Sequence, residues 1–475
     1  MAMRKKDRTS VFRTPFDTTR RSILLAGTAT FVAPLLPRWA RAQVVSTEFD
    51  YYISPTGSDS NSGTRAAPWA ISALGTKSQI AGRRVGLLDG TYVASSTDAE
   101  RPGILVGFGG TAGAPTIIEA VNPRQAIITG YDGSRYVGLQ GLIGVNGASY
   151  VTFRGLRVTN GVCKGFAIWN SSNIIVENSE VSNFRLARYP GYTAMGDNTE
   201  GVRIEGSSDV TIRNCQLFDV ANGADNWNGS LVKTYATNRT VIEYCDFSDA
   251  YAGHYDKSAS PQNTTIRNCY FHDIHWPLCG FDQVSTGTHR IYNNVIEGAV
   301  AITMVGDGSA NCAIEVYNNT VFGTTATDGI WNLNAGGALL KFYNNIVYHP
   351  GVSATYHGDL FTTSAAPVIN YNCYTPGAIR IDSESDHTTL ASWRGTGRDT
   401  NSIQANPAFV GDGNGASRFK LSASSPCRDA GRIGGLASGA VTDIGAWQDG
   451  VTQIGCDFTA NVGVAPNPPG SVVVE

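Results

Sequence analysis

Ile291-Tyr292-Asn293-Asn294, Val316-Tyr317-Asn318-Asn319 and Phe342-Tyr343-Asn344-Asn345 are three copies of one phrase, apolar-x-Asn-Asn, and their spacing decides the fold. Upstream, the second Asn becomes Cys in Ile212-Arg213-Asn214-Cys215 and Ile266-Arg267-Asn268-Cys269, with a looser copy at Ile242-Glu243-Tyr244-Cys245. With the last residue of each as anchor, positions 215, 245, 269, 294, 319 and 345 lie 30, 24, 25, 25 and 26 residues apart. A period of that size means stacked repeats rather than one globular core. About 25 residues accommodate three short strands and three turns, so the expected fold is all-β: a single-stranded, right-handed parallel β-helix. The anchor is expected at a tight turn, where Asn tolerates left-handed backbone and its amide reaches the Asn one coil away. Propeller blades need roughly 40 residues and leucine-rich horseshoes need regular leucines, so neither fits.

Composition agrees. Only 16% of the 475 residues are charged and 54 are Gly, as in a turn-rich all-β protein. Of the nine Cys, Cys215, Cys245, Cys269 and Cys373 are assigned to the anchor and expected to be buried small residues rather than disulfide partners.

Residues 1–42 read as an export signal. Basic residues precede Arg20-Arg21, an apolar run to about Leu36 follows, and Ala40-Arg41-Ala42 offers a small-x-small cleavage site. Paired arginines before the apolar stretch resemble a twin-arginine signal, and the run is short and Gly/Pro-interrupted for a membrane span. A secreted or periplasmic location without stable membrane insertion is expected. The leader holds nine Arg/Lys and two Asp, which leaves the rest of the chain about ten charges negative. Such a chain is unsuited to nucleic acid, and any site for an anionic polymer must be a local basic patch.

Residues 43–115 are expected to form an N-terminal cap and first coils, 116–380 the repeats, 381–450 a closing segment and 451–475 a loosely ordered tail. A monomer is expected.

Counting twelve residues back from each anchor gives Arg203, Lys233, Lys257, Asp282 and Asp307. Alternation in Gly201-Val202-Arg203-Ile204 turns Arg203 outward, and the same parity turns Lys233 and Lys257 outward. Adjacent coils lie about 4.8 Å apart, so these residues are expected in one column of three cations followed by two acids. Glu205, Tyr235, Tyr255 and Trp331 share the face. The insertions Arg185-to-Asn198 and Asn222-to-Gly229 lead into it and are candidate groove walls. Aromatic faces beside cations suit an acidic polysaccharide, whose C–H faces stack on rings while its carboxylates meet charge. Otherwise the strip is a solvated face of independent charges.

Eliminative cleavage of a uronate polymer requires neutralising the carboxylate, removing the C5 proton and expelling the glycosidic oxygen. Neighbouring cations about 5 Å away lower a lysine's pKa, which makes Lys257 a candidate base with Lys233 and Arg203 holding carboxylates, or Ca²⁺ bridging them. His254, Tyr235 and Tyr255 are candidates for contacting the substrate. Asp282 and Asp307 are candidates for a calcium site or for the carboxylate pair of a glycoside hydrolase. His272, His275 and His289 read as structural.

Three features together carry a family resemblance: the run Tyr51–Thr64 with Pro68-Trp69, the Asn-Asn/Cys coils, and the Ser425-Pro426…Asp429-Ala430-Gly431…Asp443-Ile444-Gly445-Ala446-Trp447 ending. They resemble secreted bacterial right-handed β-helix proteins, a group that includes polysaccharide lyases of the pectate lyase, chondroitinase B and alginate lyase types. Asp256-Lys257-Ser258 followed by Asn263 is similar to the catalytic-lysine strand of the chondroitinase B and alginate lyase group. That resemblance implies a lyase with Lys257 as base. The group's arginine on the next coil is replaced by Asp282, and its acidic calcium ligands by Ala250 and Ala252. A non-catalytic carbohydrate-binding protein and a hydrolase using Asp282 and Asp307 are the alternatives.

Overall fold

The computed structural model describes residues 48–458, except 95, 97–100, 139, 189–197, 222–228, 258–262, 282–286, 299–301, 306–311, 324–330, 335–338, 351–353, 362–365, 383–386, 412 and 414. The export signal expected over 1–42 lies outside the described residues. Short parallel strands stack coil on coil along three faces, which is a parallel β-helix. One face holds twelve strands, from Tyr51–Ile53 through Ser172–Glu177 and Gly287–Tyr292 to Val368–Asn370. A second passes through Glu180–Arg185 and Gln216–Ala221, a third through Lys164–Trp169, Thr199–Glu205 and Gly229–Tyr235. The 11-residue strand Asp246–Asp256 bends from the second face to the third, pairing with Gln216–Ala221 by its start and with Gly229–Tyr235 by its end. Residues of the expected N-terminal cap already supply coil strands, since Tyr51–Ile53 pairs with Arg84–Leu87.

The repeated phrase divides its labour between its two polar residues. The first takes the left-handed backbone, with φ of 48° at Asn214, 54° at Asn268, 55° at Asn293, 53° at Asn318 and 54° at Asn344. The sequence reading had assigned that conformation to the anchor. The anchor itself turns inward and is buried, as Cys215, Cys245, Cys269, Asn294, Asn319 and Asn345. There the amides form a ladder. The Cys269 N–H donates to Asn294 Oδ1 (2.9 Å). Asn294 N and Nδ2 both donate to Asn319 Oδ1 (3.1 and 3.0 Å), and Asn319 N and Nδ2 both donate to Asn345 Oδ1 (3.0 and 3.0 Å). The next rung is Asn372, whose Oδ1 accepts from Asn345 N (2.9 Å). Cys373, assigned to the anchor by sequence, sits one place beyond it, in strand Cys373–Tyr374, because the rung needs an acceptor for the Asn345 amide. Burial pushes the Cys215 and Cys245 thiols well up. Cys163, Cys215, Cys245, Cys269, Cys373, Cys427 and Cys456 are outside any disulfide.

On the outside of the twelve-stranded face, Glu119, Arg154, Glu177, Arg213, Glu243 and Arg267 lie in cross-coil register, alternating in sign. Arg154 reaches Glu119 at 3.3 Å and Glu177 at 2.5 Å, and Arg267 reaches Glu243 at 2.6 Å and the Tyr292 hydroxyl at 2.9 Å. Stacked Tyr292, Tyr317 and Tyr343 rings continue the row at 4.9 and 5.0 Å. Pairing of this kind favours one alignment of neighbouring strands.

The closing segment has two parts. The helix Leu390–Arg394 plugs the end of the core with Trp393, which is fully buried and donates from Nε1 to Asp399 (2.7 Å). The chain then returns across the left-handed turns. Asn344 exchanges two hydrogen bonds with the Arg432 backbone (2.8 and 3.1 Å), Asn268 accepts from the Gly455 N–H through its carbonyl (2.9 Å), and Asn214 exchanges two with Asp457 (2.7 and 3.1 Å). Residues 451–458 are thus docked strap, not the loose tail expected from sequence; the outer Asn side chains supply the backbone-like partners that hold it. Among the described residues no helix is long and apolar enough to cross a membrane.

Candidate functional site

The third face carries the site. Its outward rows follow from strand register. One row runs Gly144, Ala167, Arg203, Lys233, Tyr255, with Cys279 next in backbone register. The row beside it runs Asn146, Trp169, Glu205, Tyr235. Arg203 and Lys233 are therefore cross-coil neighbours, as the spacing predicted. The column then departs from expectation, because Lys233 pairs with Tyr255 and not with Lys257. The segment from Tyr255 to Cys269 is two residues longer than the one from Lys233 to Cys245, so a count of twelve back from Cys269 stops two residues short. Lys257 instead follows Asp256, exposed at the strand's end, with its N–H donating to Thr234 O (2.9 Å). Asp282 and Asp307 lie outside the described residues, and the row continues through Cys279 and Thr303 in their place. Trp331 pairs with Ile302, which places it in the register row of His254 and Leu278 rather than beside Arg203.

Two orientations also differ. Lys233 is fully buried rather than solvated. Its ammonium lies 4.6 Å from the Tyr255 ring centroid and 5.9 Å from that of Tyr235, and the Arg203 guanidinium lies 4.3 Å from Tyr235. Cation–π contact of this kind strengthens as water is excluded. His254, expected to meet substrate, is 1% exposed and faces the lumen with the inward Val232 row, its Nε2 lying 3.4 Å from Thr234 Oγ1. Burial, helped by His289, pushes its pKa down to about 3.

Arg203 is the hub. It ion-pairs with Glu200 at 3.3 Å and Glu205 at 2.9 Å. Burial opposes its charge, but the two carboxylates outweigh burial and hold its pKa above the ordinary arginine value. Burial and the nearby Glu200 push the Tyr235 phenol up to about 12, and its oxygen accepts from Asn198 Nδ2 at 3.3 Å. Arg203 is compensated by two carboxylates and Lys233 is buried against aromatic rings, unlike the independent charges of a solvated strip.

Sequence reasoning missed the residues upstream of Arg203. Lys164, Glu200 and Ser230 form a buried polar row in register, and Lys164 Nζ donates to Gln140 Oε1 (3.2 Å). Glu200 Oε2, Ser230 Oγ and Gln140 Nε2 are buried without a hydrogen-bond partner among the described residues. Beside them opens a cleft of about 930 Å³ lined in part by Gln140, Asn146, Trp169, Asn170 and Glu205. The signal was present: twelve residues before Ser179 and Leu156 are Ala167 and Gly144, the cross-coil partners leading to Arg203. Those anchors are Ser and Leu rather than Asn or Cys, so the phrase did not reveal them.

The chain belongs to the right-handed β-helix family, whose model, described as a right handed beta helix region, matches residues 140–321 and 200–392. Among solved structures it is similar to the pectate lyase Pel9A, at 19% identity over 84% of this chain and 95% of that one, with a TM-score of 0.55. Weaker likenesses include a rhamnogalacturonan lyase (15% identity, 79% of this chain and 95% of that one, TM-score 0.42) and an alginate lyase from Paenibacillus sp. str. FPU-7 (16%, 68% and 90%, TM-score 0.37). These likenesses concern the fold. No curated protein matches the chain.

Proposed function

We propose that this is an exported, polysaccharide-active β-helix protein that cleaves a uronate-containing polymer by β-elimination. The observation that carries the reading is the Arg203–Lys233 pair, two cross-coil cations under Tyr235 and Tyr255, on the strand face that opens into the cleft. A β-helix likeness to a pectate lyase supports it only as a shared scaffold.

In this reading the substrate carboxylate meets Arg203 by displacing Glu205, whose side chain is 44% exposed, while buried Glu200 keeps the guanidinium in place. Charge-assisted contacts to the carboxylate favour the developing enolate. Lys257 follows the Thr234–Asp256 pair, next to the Tyr235 position in register, and in its neutral amine form its Nζ takes the C5 proton; the C5–H electrons form the C4=C5 double bond, and the C4–O bond breaks with its electrons on the leaving oxygen. The Tyr235 hydroxyl, with its raised pKa, remains protonated at neutral pH and is placed to donate to that oxygen. Calcium is the cofactor that lyases on this scaffold would imply. Among the described residues no group of three or more His, Cys, Asp or Glu forms a metal-binding set, and the face's carboxylates, Glu200 and Glu205, are engaged by Arg203.

Purified protein incubated with pectate, alginate and glycosaminoglycans, with Ca²⁺ or chelator, is expected to generate ultraviolet absorbance from unsaturated ends. Lys257→Ala is expected to lower kcat by about 10²–10⁴-fold, the usual contribution of a positioned base, while leaving polymer binding intact. Unchanged activity in that variant overturns the lysine mechanism. Reducing ends without unsaturation would identify a hydrolase, and binding without turnover a carbohydrate-binding protein.

A further inference from the structure

We infer that the polymer is a heteropolysaccharide, in which the cleft upstream of Arg203 holds a neutral sugar residue next to the uronate held at Arg203 and Lys233. This rests on the uronate reading above and specifies its substrate class.

The cleft and the cation pair differ in chemistry although they share one face. Downstream lie two cations with aromatic rings over them. Upstream, the cleft presents the Trp169 ring and the amides of Asn146, Asn170 and Gln140, and its two charged lining residues, Arg101 and Glu205, are of opposite sign. An indole face with amide donors and acceptors, and without net positive charge, matches the C–H face and hydroxyls of an uncharged pyranose. A second carboxylate would find no excess cation there.

Gln140 gives an independent sign that a ligand belongs here. It is 1% exposed, its Oε1 is committed to Lys164, and its Nε2 has no partner among the described residues although Gln140 lines the cleft. Buried donors are almost always satisfied, and a sugar hydroxyl reaching the wall would complete this one. Spacing agrees with a continuous chain. Trp169, Glu205 and Tyr235 are successive members of one row, and successive coils rise by about 4.8 Å, close to the advance of one sugar residue along its polymer. The neutral unit at Trp169 and the uronate at Arg203, one coil on, are thus neighbours in one groove.

The test is calorimetric binding to the full chain carrying Lys257→Ala, which separates binding from turnover. Probes are oligosaccharides of equal length: rhamnogalacturonan backbone and hyaluronan, which alternate neutral and uronate residues, against polygalacturonate and polymannuronate. At least one alternating probe is expected to bind about tenfold or more tighter than both homouronates. Adding Trp169→Ala, or separately Gln140→Leu, is expected to remove that preference while leaving homouronate affinity within about twofold, with folding checked by circular dichroism. Homouronates binding equally or more tightly, or a preference that survives both substitutions, overturns this inference alone. Failure of every acidic probe to bind overturns the uronate reading and this one with it.

Discussion

Replacing Asn319 by alanine is expected to destabilise the β-helix by about 3–5 kcal/mol, one of the largest single-residue effects outside the aromatic core. The side chain is fully buried. Its Oδ1 accepts from Asn294 N and Nδ2, and its Nδ2 donates to Ile291 O (2.9 Å), Tyr317 O (3.0 Å) and Asn345 Oδ1 (3.0 Å). Alanine leaves donors and carbonyls orphaned on both neighbouring coils, and each buried orphan costs about 1–3 kcal/mol. Asn319→Cys is the informative comparison. Cys215 occupies the equivalent position and donates from Sγ to Val176 O (3.5 Å), so cysteine keeps the donor and loses only the acceptor. It is expected to cost about half as much. Urea midpoints for the two variants decide the matter: an alanine loss below about 1 kcal/mol, or equal losses for both, would show that the ladder contributes shape rather than hydrogen bonding.

Acid should unfold this protein through its lumen. Burial pushes both His254 and His289 down to about 3, against about 6.5 in an unfolded chain. Both are neutral inside the coil, where Thr234 and Asp256 are inward neighbours. Because the folded pKa is depressed, the unfolded state binds more protons between these values. Stability is therefore fully present above about pH 6.5 and falls as pH drops toward 3, by up to about 1.4 kcal/mol per pH unit for each histidine. His272 acts in the opposite sense. Asp246 at 3.1 Å and Asp273 at 2.7 Å outweigh burial and raise its pKa to about 9, so its smaller, partly screened contribution is lost as pH rises through 9. Denaturation series at pH 7, 5.5 and 4.5 are expected to show a steep acid slope that His254→Gln with His289→Gln flattens. An unchanged slope in the double variant would assign acid sensitivity to the carboxylates instead.

The axial architecture was legible in the sequence because a buried amide ladder demands the same residue at the same place in every coil. The lateral detail was not. A fixed count back from the anchor held for Arg203 and Lys233, whose following turns are equal in length, and failed at Lys257, where the turn gains two residues. Cys373 misled because it borders the Asn372 rung and shares the chemistry of Cys215. Parity was read correctly for Arg203, but parity does not report what lies above a side chain. Hence outward parity at Lys233 does not reveal that it is buried, with the Tyr235 and Tyr255 rings near its ammonium. His254 was drawn into the site by its neighbour Tyr255, although alternation places it in the lumen. The cleft was invisible because its coils are anchored by Leu156 and Ser179, which satisfy the same interior position without Asn or Cys.

The alternating row Glu119, Arg154, Glu177, Arg213, Glu243, Arg267 works as a parity check on the length of the molecule. The inner rungs of this stretch, Cys on Cys, are interchangeable and carry no such label. Losing one coil from within the row would set carboxylate on carboxylate or guanidinium on guanidinium at the junction, and like charges facing each other across strands are destabilising. Gaining or losing two restores every pair. Within this stretch the solenoid counts in twos, so a lineage that lengthens or shortens it by whole coils meets an electrostatic barrier at each odd step and none at each even one.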